Sequence, residues 1–309
     1  MASAQAVRLP DRPPRVGLVT VTYNSADVLP AFLQCVRSQD LADYLLVVID
    51  NASTDRTREI LAAESSDRVT VITNSDNMGF AHASNQGIEY CLKAGVQWIL
   101  LINNDTEFAA DLLNSLLASA VRLQAEVLVP RITYYEQRSL AWFAGGHFSW
   151  LRGFQARHDR ERPSGRARRR PRRIECAPGC CMLVKSSVFD RVGLFDPVYF
   201  VYWEDADFCW RLKQRRISIL YDPRIELAHK VSALTGGPQS PFSVRHYSRN
   251  QIYFLRKHFP WPIVMANVVW IRFKNRMRVW LGLDSPDVAA LRRDAIEEGL
   301  RMPVEARRA

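Results

Sequence analysis

Asp105 follows the apolar run Trp98–Ile102 in the tripeptide Asn103-Asn104-Asp105. A carboxylate there can hold a hard divalent cation, Mg²⁺ or Mn²⁺, which in turn grips a diphosphate. On its own the same aspartate reads equally well as a helix N-cap ahead of Phe108. Asp50 ends a second apolar run. A buried acceptor there suits the imide N–H of a uracil or thymine ring, and a turn with Asn51 is the plainer reading. Asn77-Met78-Gly79-Phe80 opens a helical pattern whose free N–H groups favour phosphate or ribose oxygens. Its glycine also permits close approach, and its phenylalanine suits the core. Glu204, Asp205 and Asp207 crowd the start of another helical pattern, and helical phase separates them. Asp205 shares a face with Cys209 and Leu212, so it points toward apolar surroundings, where a carboxylate titrates high and can act as a general base. Asp207 shares a face with Arg211 and reads as a solvated i,i+4 ion pair; Glu204 lies beside Phe208 and Arg211. Helix-dipole stabilisation by first-turn acids accounts well for Asp207 and poorly for Asp205. His229 is either a second metal ligand or a structural histidine. Cys176, Cys180 and Cys181 have no second CxxC pair, so no zinc site is expected.

Such residues need a scaffold that gathers them. Val16–Tyr23, Leu45–Asp50, Val69–Thr73 and Trp98–Ile102 read as strands. Helical patterns lie between them: one from Leu29 to Val36 with Ser25 as cap, and a short one through Ile60 and Leu61 capped by Ser53 or Thr54. Phe80–Ala94 follows with Gly95 at its stop, and Ala110–Gln124 comes after the fourth strand. Apolar strands separated by helical crossovers predict a parallel sheet covered on both faces, with ligands beyond the strands' carboxyl ends. Those four ends are all polar: Thr22-Tyr23-Asn24, Asp50 to Asp55, Asn74 to Gly79, and Asn103 to Asp105. Loops are polar anyway, but four such ends on one edge describe a pocket. Further strands are expected at Val127–Val129, after Cys181 and at Ile217–Tyr221. A helix should run from Val201 to about Arg215, and an amphipathic helical tail from Tyr247 to Trp280.

With 309 residues, 48% of them hydrophobic, the chain can bury a full core and is not a disordered composition. No run approaches the length of a spanning helix, and Met1–Arg15 lacks the apolar centre of a secretory signal. Six cysteines set mostly in apolar runs suggest reduced thiols rather than a disulfide framework. The net charge of +10 suggests an anionic partner. It is unevenly placed: Arg152–Arg173 holds ten arginines against Asp159 and Glu161, a local net of +8, leaving about +2 elsewhere. With Phe154 alone as interleaved aromatic and no reading motif, the run does not point to nucleic acid. A basic loop near an anionic substrate or membrane surface is more economical, and a merely solvated loop stays open.

Taken together, the motifs resemble family 2 glycosyltransferases from Val16 to about Val231. They are Val-Thr-Tyr23-Asn24, Asp50 with Asp55, Asn77-x-Gly79-Phe80, Asn85, Asn-Asn-Asp105 and Trp203-Glu204-Asp205. Pro178-Gly179-x-Cys181-Met182-Leu183 and Arg249-Asn250 to Phe254 are similar to bacterial rhamnosyltransferase-type enzymes of polysaccharide assembly. The resemblance implies an α/β GT-A fold with a mostly parallel sheet and a C-terminal helical extension. It implies inverting transfer of a sugar, rhamnose or another hexose, from a dTDP- or UDP-sugar to a glycan or lipid-linked acceptor. Asp50 would read the base; Thr22, Tyr23, Asn24, Asn77, Gly79, Asn85 and Asn104 would line the nucleotide. Asp105, with His229, would hold the cation. Asp205 would be the base with Glu204 in support, and Gly179 and Trp203 would face the acceptor. Asn103 stands where a DxD motif has its first acid, which lowers the negative charge available to a metal. QxxRW is absent, so single additions rather than polymerisation are expected. A non-catalytic sugar-nucleotide sensor and a nucleotidyltransferase are the rivals; the latter would need a glycine-rich basic loop where Thr22-Tyr23-Asn24 stands.

The expected organisation is a tail over 1–15, a catalytic unit over 16–235 and a helical extension over 236–309. The catalytic unit divides into a nucleotide half over 16–105 and an acceptor half over 106–235, with the arginine-rich loop at 152–173. Trp261 to Ile271 is apolar over about half a membrane span, followed by Arg272, Lys274, Arg276, Arg278 and Trp280. That pattern suits a membrane interface with anionic lipid, and packing on the domain or a homodimer contact is the alternative. The expected location is therefore cytoplasmic, peripheral at the inner face of the membrane.

Overall fold

The computed structural model describes residues 9–10, 12–64, 66–159, 170–230 and 240–304. Its centre is built from runs too apolar to face water on either side. β1 (Val16–Thr22) is followed by α1 (Leu29–Arg37), which buries Leu29, Phe32, Leu33 and Val36, the positions that a 3.6-residue period selects. β2 (Tyr44–Asp50) is buried at every residue. Then come α2 (Thr57–Ala62), β3 (Val69–Thr73), α3 (Phe80–Lys93), β4 (Trp98–Ile102), β5 (Thr106–Phe108) and α4 (Leu112–Arg122). The second half holds β6 (Val127–Tyr134), β7 (Ala141–Phe143), β8 (Gly146–Ser149), β9 (Gln155–His158), β10 (Arg172–Ile174), β11 (Cys181–Lys185) and α5 (Ser186–Val192). It closes with α6 (Glu204–Gln214), β12 (Ile219–His229), α7 (Pro241–His258), α8 (Trp261–Trp280) and α9 (Pro286–Arg301).

The main sheet runs β10-β12-β6-β11-β4-β1-β2-β3, with β5 on β12 and β7 on β6. β4, β1, β2 and β3 are parallel, so their carboxyl ends share one edge. β11 is antiparallel to β4, pairing Cys181 with Ile102, and its amino end therefore arrives where β4 leaves. β12 returns antiparallel to β5 and sets His229 opposite Thr106, the neighbour of Asp105. This reversal of strand direction brings the second half of the chain to the edge made by the first. β8 and β9 form a separate hairpin.

Several local expectations change. Ser25 does not cap α1: its hydroxyl accepts from the Tyr23 N–H, and α1 begins after Val28. Neither Ser53 nor Thr54 caps α2. Ser53 takes the Asn24 N–H at 2.9 Å, and Asp55 accepts from Thr57 N at 3.0 Å in its place. Asp105 is no helix cap, because β5 and not a helix follows it. β12 continues well past Tyr221. The arginine-rich segment enters β9 and β10 at its ends, and 160–169 lie outside the described residues, as do 1–8, 11, 65, 231–239 and 305–309 of the expected units. The helical tail expected over Tyr247–Trp280 falls in α7 and α8, broken at Phe259-Pro260, and α9 follows it. α7 is not peripheral: its Tyr253 and Phe254 pack with Tyr199, Trp203 and Ala206 ahead of and within α6. Ile252 and Leu255 of α7 pack with Val264, Val268 and Ile271 of α8 and Ile296 of α9.

Candidate active site

A cavity of about 970 Å³ opens along this edge. From the first half it is lined by Tyr23, Asn51, Asn77, Gly79, Asn103, Asn104 and Asp105. Asn51 organises the nucleotide side: it donates to Asn77 Oδ1 at 2.7 Å and accepts from Met78 N at 3.0 Å. Gly79 cannot be replaced without strain. Its φ is +82°, and a Cβ there would stand 2.5 Å from the Phe200 ring. Asn104 donates to the Val21 carbonyl and to Ser25 Oγ, which locks the end of β4 to that of β1.

At the next strand end, Asp105 Oδ1 stands 3.1 Å from His229 Nε2. That oxygen, although buried, has no hydrogen-bond partner among the described residues, and neither has Nδ1 of His229. A hard oxygen and an imidazole nitrogen at this spacing fit two neighbouring corners around one ion, since ligands about 2.1 Å from an octahedral cation stand roughly 3 Å from each other. No group of three or more acidic, histidine or cysteine side chains placed to hold a metal ion is found among the described residues, so a cation here would need ligands from its diphosphate and from water.

Glu204 and Asp205 enter the cavity from the start of α6. Asp205 Oδ2 accepts from the Gly179 N–H at 3.2 Å and Oδ1 from its neighbour Ala206 N at 2.7 Å. Burial raises the Asp205 carboxyl above the usual range, and these N–H groups hold part of that rise back. Burial pushes Glu204 well up, and the adjacent Asp205 charge adds to it; Glu204 Oε2 has no hydrogen-bond partner among the described residues. Asp207 departs from expectation. It is fully buried, not solvated. Arg211 Nε lies 2.7 Å away as the phase predicts, but Tyr199, Lys257 and His258 close over it from elsewhere in the chain.

The loop ahead of α6 holds three non-glycine residues at left-handed φ: Phe200 at 62°, Tyr202 at 65° and Trp203 at 77°. Such strain persists only where the surroundings over-determine it. Here Asn250 of α7 does so, donating to the carbonyls of Tyr199, Val201 and Tyr202 at 2.7–2.8 Å. Trp203 lines the cavity, and its buried Nε1 has no hydrogen-bond partner among the described residues.

Of the expected site residues, Tyr23, Asn77, Gly79, Asn104, Asp105, Gly179, Trp203, Glu204, Asp205 and His229 line this cavity. Thr22, Asn24, Asp50 and Asn85 are not in its wall. Asp50 is fully buried, and its carboxylate holds Thr22 Oγ1, Ser53 N and Arg58 Nε, so it braces the turn behind Asn51. Asn24 Oδ1 accepts from Thr54 N. Asn85 is spent on both backbone groups of Phe195. The sequence reading did not pick out Phe242, Ser243, Tyr247 and Ser248, which wall the cavity from α7. No local signal ties that helix to the pocket, since only the packing of α7 on α6 does so.

The model of glycosyl transferase family 2 matches residues 18–193. The N-acetylglucosaminyl-diphospho-decaprenol L-rhamnosyltransferase of Mycobacterium tuberculosis is 28% identical over 79% of this chain and 85% of its own. The dTDP-rhamnosyl transferase RfbF of Shigella flexneri is 23% identical over 82% and 84%. Among solved structures, GalNAc-T7 with UDP, GalNAc and Mn²⁺ superposes with a TM-score of 0.63 at 16% identity, over 94% of this chain and 56% of that one, a likeness of fold.

Proposed function

As the chain belongs to glycosyl transferase family 2, we propose that it transfers a hexose, rhamnose foremost, from a dTDP- or UDP-sugar to a hydroxyl of a glycan or lipid-linked acceptor, with inversion. The observation that carries this reading is that four residues lining one cavity, Asp105, His229, Trp203 and Glu204, each hold a buried polar atom with no hydrogen-bond partner among the described residues: Oδ1, Nδ1, Nε1 and Oε2. Buried polar groups are paired as a rule, so a cluster of unpaired ones marks where a polar ligand belongs.

The nucleotide would lie along Tyr23, Asn51, Asn77, Gly79 and Asn104, with Asp50 acting one step behind by fixing the Asn51 turn. Asp105 and His229 would hold a divalent cation, Mg²⁺ or Mn²⁺, whose charge supplies stabilisation to the departing diphosphate. Asp205 takes the proton of the acceptor hydroxyl while that oxygen bonds to the anomeric carbon. The bond from that carbon to the diphosphate oxygen breaks on the opposite face, and the nucleoside diphosphate leaves. Two N–H groups keep Asp205 oriented and ionised, and its raised affinity for a proton makes it the better base. Glu204 supports it, and Gly179 and Trp203 face the acceptor.

The relatives named above for rhamnosyl transfer, one of them to a diphospho-decaprenol acceptor, support this donor and acceptor class. An acceptor of that kind is membrane-borne. No helix among the described residues is long and apolar enough to cross a membrane, so we place the chain peripherally, at the cytoplasmic face. A panel of sugar nucleotides assayed by thermal unfolding tests the donor: a ligand at a hundred times its dissociation constant adds about 2.7 kcal/mol. Donor binding with no nucleotide release in the presence of any acceptor would leave a sensor instead of a transferase.

A further inference from the structure

A second cavity of about 270 Å³ abuts the first, and the two share Trp142, Ala156 and His158 as wall. Its remaining lining is Tyr134, Arg152, Gln155 and Arg157. Among the described residues no carboxylate pairs with Arg152 or Arg157, whereas Arg292, which lines the first cavity, pairs with Asp284. Both are held in place. Buried Gln251 of α7 donates to the carbonyls of Arg152 and Gly153 at 2.9 and 3.1 Å, and Arg157 sits in β9 opposite His147. Both arginines also act on the hydroxyl of Tyr247. Burial raises that group, Asp205 adds to the rise, and the arginines oppose it. Tyr247, which lines the first cavity, therefore lies near both the two guanidinium groups and the proposed base.

Beside Arg152 the surface turns apolar. Trp150 and Leu151 are 70% and 58% exposed, and Phe273 of α8 is 52% exposed. Trp270 Nε1 donates to the Leu151 carbonyl, so α8 and this turn form one ridge. A cationic cavity that opens to the reaction site on one side and to an aromatic ridge on the other has the polarity of a lipid diphosphate. We propose that Arg152 and Arg157 seat the diphosphate of the lipid-linked acceptor, with its sugar reaching through the shared wall toward Asp205 and its chain leaving over Trp150, Leu151 and Phe273. Planar guanidinium groups suit this task because they meet phosphate oxygens two at a time. The assignment deepens the transferase reading and rests on it for the acceptor's sugar, but not for the binding itself.

Calorimetric titration of the full chain with geranyl diphosphate, after saturation with UDP to fill the nucleotide site, tests it. Wild type should bind, and Arg152→Gln/Arg157→Gln should weaken that binding about tenfold or more while leaving UDP affinity and the unfolding midpoint in place. Arg152 is exposed, so Arg152→Gln alone carries the test if the double variant unfolds. Inorganic pyrophosphate should compete. Failure of wild type to bind, or equal binding by the variants, overturns the proposal. Competition by glycerophosphoglycerol as strong as that by pyrophosphate would assign the cavity to bilayer headgroups and overturn it too. Wild type that binds through these arginines yet never releases nucleotide keeps the site and removes the transferase reading.

Discussion

Three acids within four residues show how far residue types and spacing can be read. Helical phase assigns Asp205 to the site, and it lines the cavity there. The same phase pairs Asp207 with Arg211 and then mistakes its surroundings. Tyr199, Lys257 and His258 bury that pair, and none of them is visible from the α6 sequence. The outcomes for the two variants should diverge accordingly. Asp205→Asn should keep its unfolding midpoint and donor affinity and lose about 10² to 10⁴-fold in turnover. Near-native turnover in Asp205→Asn, with loss in Glu204→Gln, would transfer the base assignment to Glu204. Asp207→Ala should instead lose about 3–5 kcal/mol of stability, because it strands the largely buried Arg211 without its counter-charge and leaves Lys257 to Asp196 alone. Chemical denaturation would show this as a lower midpoint, and an unchanged midpoint would mean the network is worth little.

At the level of elements, the four parallel strands were legible because each is a short apolar run ending in polar residues. The antiparallel entry of β11 and the return of β12 to β5 were not, since strand direction depends on partners remote in sequence. That return is what sets His229 against Asp105. The wall supplied by α7 is the larger omission. Asn250 was visible only as part of a motif, whereas in the fold it pins three carbonyls of the strained Phe200–Trp203 loop. Asn250→Ala should release that loop: turnover falls more than donor affinity, and Asn250→Asp, with no amide donors, fails to restore it. Equal activity in Asn250→Ala would show that the loop needs no such anchor. The hairpin carries a second consequence. Burial holds His158 at about 4, and burial with the nearby Arg249 and Arg245 holds His246 at about 4. An unfolded chain protonates these rings near 6.5, so between about pH 6.5 and 4 it takes up protons that the native state refuses. Their contribution is complete above pH 6.5 and declines as pH falls toward 4. The raised carboxyls of Glu204 and Asp205 work in the opposite sense, so the readout is a difference: between pH 7 and 5 in metal-free buffer the midpoint of wild type should fall relative to that of His158→Gln, and parallel profiles would remove His158 from the account.

For the molecule as a whole, the proposed membrane contact has to come from the surface of its C-terminal helices. The sequence assigns Arg272, Lys274, Arg276 and Arg278 to anionic lipid, but Arg272 pairs with Glu297 and Arg278 with Asp284 in the fold. Half of that basic cluster is thus spent holding α8 to α9 and to the turn between them. The apolar half of the expectation divides as well. Val264, Val268 and Ile271 pack inward, while Trp261, Val269, Trp270, Phe273 and Trp280 remain exposed. Lys274 lies over the Trp270 ring at 5.7 Å. Removing α8 and α9 would uncover Ile252 and Leu255 of α7 and confuse unfolding with release, so point variants are needed. Full-length protein should co-sediment with phosphatidylglycerol vesicles at low salt. Its release by salt should be incomplete, because screening weakens the few free cations and leaves aromatic insertion largely intact. Trp150→Glu/Phe273→Glu/Trp280→Glu should abolish co-sedimentation while leaving UDP affinity unchanged. If the unaltered chain ignores these vesicles, the exposed ridge must be covered by something other than lipid. Sedimentation equilibrium would then show a dimer that the same three substitutions dissociate.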